Sequence, residues 1–135
     1  MKKTIVCAIA SRKSFNELLD NNTGLIILKF GANWCGPCLT IKQCVDFYFA
    51  NTHENIICCD IDIDESFDVY AFLKHKKMVN GIPALLCYKK GNTTFIPDDS
   101  VTGSSTTEID LFFKRCESHY NDVCIRFPGK ISSRI

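Results

Sequence analysis

Leu25-Ile26-Ile27-Leu28-Lys29-Phe30-Gly31-Ala32-Asn33-Trp34-Cys35-Gly36-Pro37-Cys38 is the stretch on which the fold turns. Its first six residues are an almost unbroken apolar run bounded by glycines, which predicts a buried strand. A Cys-x-x-Cys pair follows within a few residues, and Leu39 to Ala50 lacks Pro and Gly and so continues as a helix. Cys35 therefore falls at a helix N-terminus, where free backbone N–H groups and the positive end of the helix dipole stabilise an anion and lower the pKa of a thiol. Pro37 fits the first helical turn, where its missing N–H costs nothing. Cys38, one turn further in, is expected to be the more buried of the two. Such a pair can close into a small disulfide and reopen, so Cys35 is read as the attacking nucleophile and Cys38 as the resolving thiol.

The same spacing is half of a tetrahedral zinc site, whose usual companion is a second pair of ligands. The other cysteines, Cys7, Cys44, Cys58, Cys59, Cys87, Cys116 and Cys124, contain no second Cys-x-x-Cys, and His53, His75 and His119 form no closely spaced pair. No metal is expected, and Asp60, Asp62 and Asp64 read as a charged strand terminus because no calcium-loop glycine pattern follows them. Nine cysteines, an odd count at irregular spacing and partly inside apolar runs, point to reduced thiols in a cytoplasm-like compartment rather than a secreted disulfide framework. Adjacent Cys58 and Cys59 should face opposite sides of a strand.

At 135 residues, with 46% hydrophobic and 23% charged residues, the chain fits one soluble domain. A net charge of +1 without a basic stripe gives no footprint for nucleic acid, and no run is long enough to span a membrane. Lys74, Lys76 and Lys77 read as a solvated helix face. Lys2 and Lys3 followed by Thr4 to Ala10 are too short for a secretory signal, and Thr4 to Ala8 reads as a first strand. Abundant Ile, Asn and Lys fit an AT-rich genome such as those of some protists or large DNA viruses, in which case the compartment is the host cytoplasm or the virion.

Beyond the opening stretch, strands and helices alternate. A helix over Ser14 to Asn21, with Ser14 and Glu17 as a capping box, precedes the strand Leu25 to Phe30. After the helix opened by the cysteines come a strand Ile56 to Ile63, a helix Phe67 to Lys77 and a strand Ala84 to Lys89. A last strand near Thr93 to Ile96 and a helix Thr106 to Glu117, capped by Thr106, complete an α/β chain with a central mixed sheet flanked by helices on both faces.

Trp34-Cys35-Gly36-Pro37-Cys38 in this strand-to-helix setting resembles the active-site signature of the thioredoxin family, and the likeness covers roughly Thr4 to Cys116. Gly81-Ile82-Pro83 matches the loop whose proline is cis in that family, and Gly91 and Gly103 match two further glycines. The resemblance implies the thioredoxin fold and reduction of protein disulfides through a reversible Cys35–Cys38 disulfide, with no bound cofactor. It also implies electrons drawn from a thioredoxin-reductase-type donor. By the same likeness the Ile82 backbone beside Pro83 pairs with an extended substrate segment, while Trp34, Gly36, Pro37 and Gly103 border the site.

The chain departs from that pattern in places. Lys29 stands where the family usually has a buried Asp, and Asp60 stands where a Lys or Glu is common, so the signs are exchanged and the pair is a candidate for electrostatic tuning. Gly31 replaces a bulky residue, Leu39 a basic one and Gln43 a helix-kinking proline. About four extra residues before Gly81 should lengthen the third helix, and Pro97 to Ser100 reads as a second insertion. Residues 1–116 are taken as the domain and 117–135 as a C-terminal extension, packed in part over Val123 to Phe127 and loose from Lys130. Cys116 and Cys124 are read as inert thiols ahead of a second, regulatory disulfide. The expected protein is a monomeric disulfide reductase acting on protein substrates. The alternatives are an oxidase or isomerase of folding clients and a weakly catalytic binding module.

Overall fold

Every residue of the strand Leu25–Gly31 (β1) is buried, which is why its sequence, apart from Lys29, is apolar instead of alternating. The computed structural model describes residues 3–129. In it β1 pairs in parallel with Ile56–Asp62 (β2) and antiparallel with Ala84–Lys89 (β3), which in turn pairs antiparallel with Asp99–Thr102 (β4). The sheet order is β2-β1-β3-β4. Parallel strands need a crossover, and the helix Gly36–Asn51 (α2) supplies it between β1 and β2. On one face α2 and the long helix Thr106–Arg126 (α4) close over Leu25, Ile27, Cys58, Leu85 and Cys87. On the other, the helices Arg12–Asp20 (α1) and Phe67–His75 (α3) close over Ile26, Leu28, Phe30, Cys59 and Tyr88. Cys58 and Cys59 thus enter opposite cores, as pleating requires.

The N-terminal segment departs from the expected strand. Thr4 to Ala8 contributes one parallel bridge, Val6 to Cys59, in which Val6 N–H donates to the Cys58 carbonyl at 2.9 Å and Asp60 N–H to the Val6 carbonyl at 2.8 Å. Thr4, Cys7 and Ala8 are exposed at the sheet edge, so no apolar burial rewards a longer ladder. The helix caps also move. Ser11, not Ser14, is the N-cap of α1, its Oγ accepting from Ser14 N–H at 3.1 Å. Ser105, not Thr106, caps α4 by accepting from Glu108 N–H at 3.3 Å.

Thr93 to Ile96 is a loop, because Asn92 Oδ1 accepts both the backbone N–H of Thr94 at 3.0 Å and its hydroxyl at 2.7 Å, which diverts those donors from a ladder. The strand forms later, at β4, which begins within the segment expected to be an inserted loop and runs past its end. β4 is held onto α4 by Asp99, whose carboxylate accepts from Arg115 Nε at 2.9 Å, Arg115 Nη2 at 3.1 Å and His119 Nε2 at 2.8 Å. Burial alone would raise the Asp99 pKa, but the hydrogen bonds from Arg115 and His119 and the guanidinium charge outweigh it and hold the carboxyl below its ordinary range. A folded-state pKa below the unfolded value stabilises above the unfolded pKa, about 3.9, and that contribution is lost as pH falls through the folded value. In urea titrations, the stability gap between wild type and Asp99→Asn should be full at pH 6 and narrow steadily below pH 4. A gap that widens in acid would contradict this.

The third helix is shorter than expected. It stops at His75, with Lys77 at φ 64°, Lys77 N–H donating to the Lys74 carbonyl at 3.0 Å and Met78 N–H to the Leu73 carbonyl at 2.8 Å. This is the Schellman arrangement, with lysine at the left-handed position that usually holds glycine. The extra residues before Gly81 therefore form the turn after α3 and leave the helix at nine residues. Relieving a left-handed lysine is worth about 1 kcal/mol, so Lys77→Gly should raise Tm by about 3 °C in calorimetry. A lower Tm would mean that the lysine side chain stabilises the turn by more than the strain costs.

The last helix is longer than expected, running past Glu117 to Arg126. Ile109, Phe112, Phe113, Cys116, Tyr120 and Val123 are all buried and keep one helical stripe across that point. Gly91 sits against the Phe127 ring, since a Cβ added there would lie 3.7 Å from Phe127 Cζ. The loose tail expected from Lys130 onward lies outside the described residues.

Candidate active site

β1 ends at Gly31, and a turn through Ala32, Asn33 and Trp34 delivers Cys35 to the N-cap of α2. Cys35 has extended backbone angles (φ −91°, ψ 108°), and its sulfur accepts from Cys38 N–H at 3.2 Å. Pro37 lies in the first turn, where no intrahelical donor is needed. Cys35 and Cys38 are joined in a disulfide with Cα atoms 5.3 Å apart. The expected contrast in burial is absent: Cys35 is 5% exposed and Cys38 4%, because the closed bond holds both sulfurs in one place.

The register sets the neighbours. Ala84 pairs with Phe30, so Pro83, buried and joined to Ile82 by a cis peptide, lies one position beyond, level with Gly31 at the end of β1 that leads into the cysteine turn. Gly103 N–H donates to the Pro83 carbonyl at 2.9 Å, which ties the turn between β4 and α4 to the same corner. Gly36 and Pro37 are exposed, and Trp34 is 68% exposed with its indole N–H donating to Asp64 Oδ2 at 2.8 Å. Sequence reading missed Asp64 as the partner of Trp34, since thirty residues separate them and no local pattern links them. Leu39 and Phe67 are also exposed apolar side chains.

Lys29 and Asp60 are register partners on β1 and β2, with Nζ to Oδ1 at 3.3 Å. The lysine side chain is 7% exposed and the aspartate 34%. Both line a pocket of about 280 Å³ together with Gly31, Cys38 and Lys42. The three aspartates of this region have separate uses: Asp60 holds Lys29, Asp62 Oδ1 accepts from Asp64 N–H at 2.8 Å, and Asp64 holds Trp34. Among the described residues no group of three ligand-type side chains is placed to hold a metal ion.

Four of the free thiols, Cys44, Cys58, Cys59 and Cys116, are poorly suited to exchange. Burial raises the pKa of Cys44 and Cys59 and pushes Cys58 up to about 11 despite the neighbouring Lys3 ammonium. Cys116 is raised by its hydrogen bond with Cys87 and by burial. Cys116 and Cys124 are both free, with Cys116 fully buried. A larger cavity, about 570 Å³, lies away from the disulfide between α2 and α4. Near it Glu117 accepts from the Tyr48 hydroxyl, from Thr52 Oγ1 at 3.2 Å and from His53 Nε2 at 3.2 Å. Burial and the Glu117 carboxylate raise the Tyr48 pKa.

Residues 6–115 match the family model Thioredoxin. The thioredoxin of Equus caballus is 30% identical over 114 residues, covering 82% of this chain and 97% of that protein. The thioredoxin of Oryctolagus cuniculus is 33% identical over 90 residues, 64% of this chain and 79% of that protein. Among solved structures, Fasciola hepatica thioredoxin superposes with a TM-score of 0.64 at 25% identity, covering 82% of this chain and 98% of its own. Trichomonas vaginalis thioredoxin gives a TM-score of 0.66 at 22% identity, covering 83% and 96%, and speaks to the fold alone.

Proposed function

This chain belongs to the thioredoxin family and is a thiol–disulfide oxidoreductase, and from that premise we propose how its residues divide the reduction of protein disulfides. The observation that carries the proposal is the Cys35–Cys38 disulfide closed across the first turn of α2. In the reduced protein, Cys35 at the helix N-cap attacks one sulfur of a substrate disulfide, where the helix end favours its anion. A Cys35–substrate bond forms and the other substrate sulfur leaves as a thiol. Cys38 then attacks Cys35, closes the internal disulfide and releases the second substrate thiol. Two electrons pass to the substrate, and a thioredoxin-reductase-type donor restores the dithiol.

The Ile82 backbone beside Pro83 pairs with an extended substrate segment, with Trp34, Gly36, Pro37 and Gly103 around it. The placement of Pro83 level with Gly31 supports this groove, and backbone pairing gives affinity without strong side-chain selection. The protein works as a monomer on protein disulfides, without nucleic acid or membrane, in electron transport within a reducing cytoplasm, or in host cytoplasm or virion for a viral source. Seven free cysteines suit such a compartment. The family match does not favour the oxidase or isomerase alternative or the weakly catalytic binding module.

Insulin reduction by dithiothreitol tests the proposal. Micromolar protein should shorten the lag before insulin B-chain precipitation severalfold, and a lag equal to that with dithiothreitol alone would refute catalysis.

A further inference from the structure

Lys29 is a cation inside a strand that is otherwise apolar, 7% exposed, and among the described residues its ammonium bonds to Asp60 Oδ1 at 3.3 Å. Charge-assisted N–H···O bonds are usually about 2.7–2.9 Å, so at 3.3 Å Asp60 neutralises the ammonium only in part. Asp60 lines the same pocket as Lys29 and is 34% exposed, so water shares its charge. The gap left by Gly31 lies beside the lysine. A Cβ built on Gly31 would lie 3.4 Å from Cys38 Sγ and 3.7 Å from Lys29 Cε. The inner sulfur and the carbon bearing the ammonium therefore flank one opening no wider than a methyl group. Any larger residue at position 31 would put carbon between them, and both line the same pocket of about 280 Å³.

We propose that Lys29 is a positioning residue for the redox step. Its charge acts on the Cys38 sulfur through the gap at Gly31, Asp60 limits that action, and together they set the potential of the Cys35–Cys38 pair. This deepens the reading above and rests on it. In the resolving step the Cys38 thiolate attacks Cys35 Sγ, so the Cys35–Cys38 bond forms and the Cys35–substrate bond breaks. The substrate sulfur leaves with the bonding electrons and takes a proton from solvent, while the proton lost by Cys38 leaves through the pocket past Asp60. A cation beside a buried sulfur acts across little screening and favours its thiolate. Favouring the reduced thiolate state makes the disulfide a stronger oxidant. The lysine should thus raise the potential, and its carboxylate partner should lower it.

The test is the thiol–disulfide equilibrium of the full chain with reduced and oxidised dithiothreitol, measured on wild type, Lys29→Met, Lys29→Arg and Asp60→Asn, with circular dichroism to confirm folding. Lys29→Met should shift the equilibrium about tenfold toward the protein disulfide, equivalent to about 30 mV more reducing. Asp60→Asn should shift it severalfold the other way, and Lys29→Arg should stay near wild type. A folded Lys29→Met with an unchanged constant overturns the proposal, as do Met and Asn variants that move in the same direction. Should Lys29→Met not fold, Asp60→Asn decides: a constant equal to or below the wild-type value as an oxidant overturns it. Wild-type insulin reduction is scored separately, so loss of this proposal leaves the reductase reading standing, while a wild type that does not reduce insulin strikes that reading itself.

Discussion

Cys38→Ser should lose insulin reductase activity by at least about a thousandfold, as does Cys35→Ser, because the two sulfurs act as one unit. The variants should differ in what they leave behind. With Cys35 intact at the N-cap of α2, Cys38→Ser still attacks a substrate disulfide, but serine oxygen cannot displace the substrate sulfur. The mixed disulfide then persists. On non-reducing gels Cys38→Ser should carry substrate as a covalent band removed by dithiothreitol, and peptide mass spectrometry should place the link on Cys35. Cys35→Ser should show no such band, since Cys38 lies inside the helix turn, away from the N-cap position that favours a thiolate. Turnover by Cys38→Ser, or a substrate band on Cys35→Ser, would reverse the assignment of attacking and resolving thiols. The other seven cysteines make the mass assignment necessary, although Cys44, Cys58, Cys59 and Cys116 are disfavoured as competitors by their raised pKa values.

The second large effect concerns the end of α4. A chain stopped after Glu117 ends near where the family match ends, at residue 115. It should nevertheless be severely destabilised. Tyr120 and Val123 are 1% and 0% exposed, and the Tyr120 ring stacks on His53 with centroids 4.4 Å apart. Tyr120 also packs so closely on Gly24 that a Cβ there would come within 3.0 Å of its ring. Burying one such side chain contributes about 1.5–3 kcal/mol, so losing both costs about 4 kcal/mol out of the 5–15 kcal/mol typical of a domain. Glu117, which gathers Tyr48, Thr52 and His53, would become the chain terminus and lose the helix that orients it. Thermal denaturation followed by circular dichroism should show Tm lowered by about 10 °C or more. Equal Tm values would mean that the residues after Glu117 are a detachable extension.

Local pattern made much of the site legible. The apolar run at β1, the spacing of Cys35 and Cys38 and the uninterrupted helix after them are neighbours in sequence, and their geometry follows from backbone rules acting over a few residues. Boundary errors arose where near-equal local signals competed. Ser14 with Glu17 has the pattern of a cap, yet the hydroxyl that accepts the free N–H is that of Ser11, so the helix runs from Arg12 and places Phe15 inward. Thr93 to Ile96 has strand-like residues, yet Asn92 captures their donors, and the edge strand forms at Asp99 because Arg115 and His119 anchor that carboxylate from α4. Lys77 gives no local warning of a left-handed turn.

The sequence by itself determined that a reactive dithiol sits at the start of a helix after a buried strand, since spacing and apolar continuity act within one turn of chain. The family resemblance pointed to Lys29, Asp60 and Pro83 as neighbours of that dithiol, but only the tertiary structure decided their register and distances, the opening at Gly31 and the bond from Trp34 to Asp64. It also decided that α4 continues to Arg126, because Tyr120 and Val123 find their cover on distant residues. Those contacts join residues far apart in the chain, and their strength depends on burial and charge that exist only once the sheet and its two helical layers have closed.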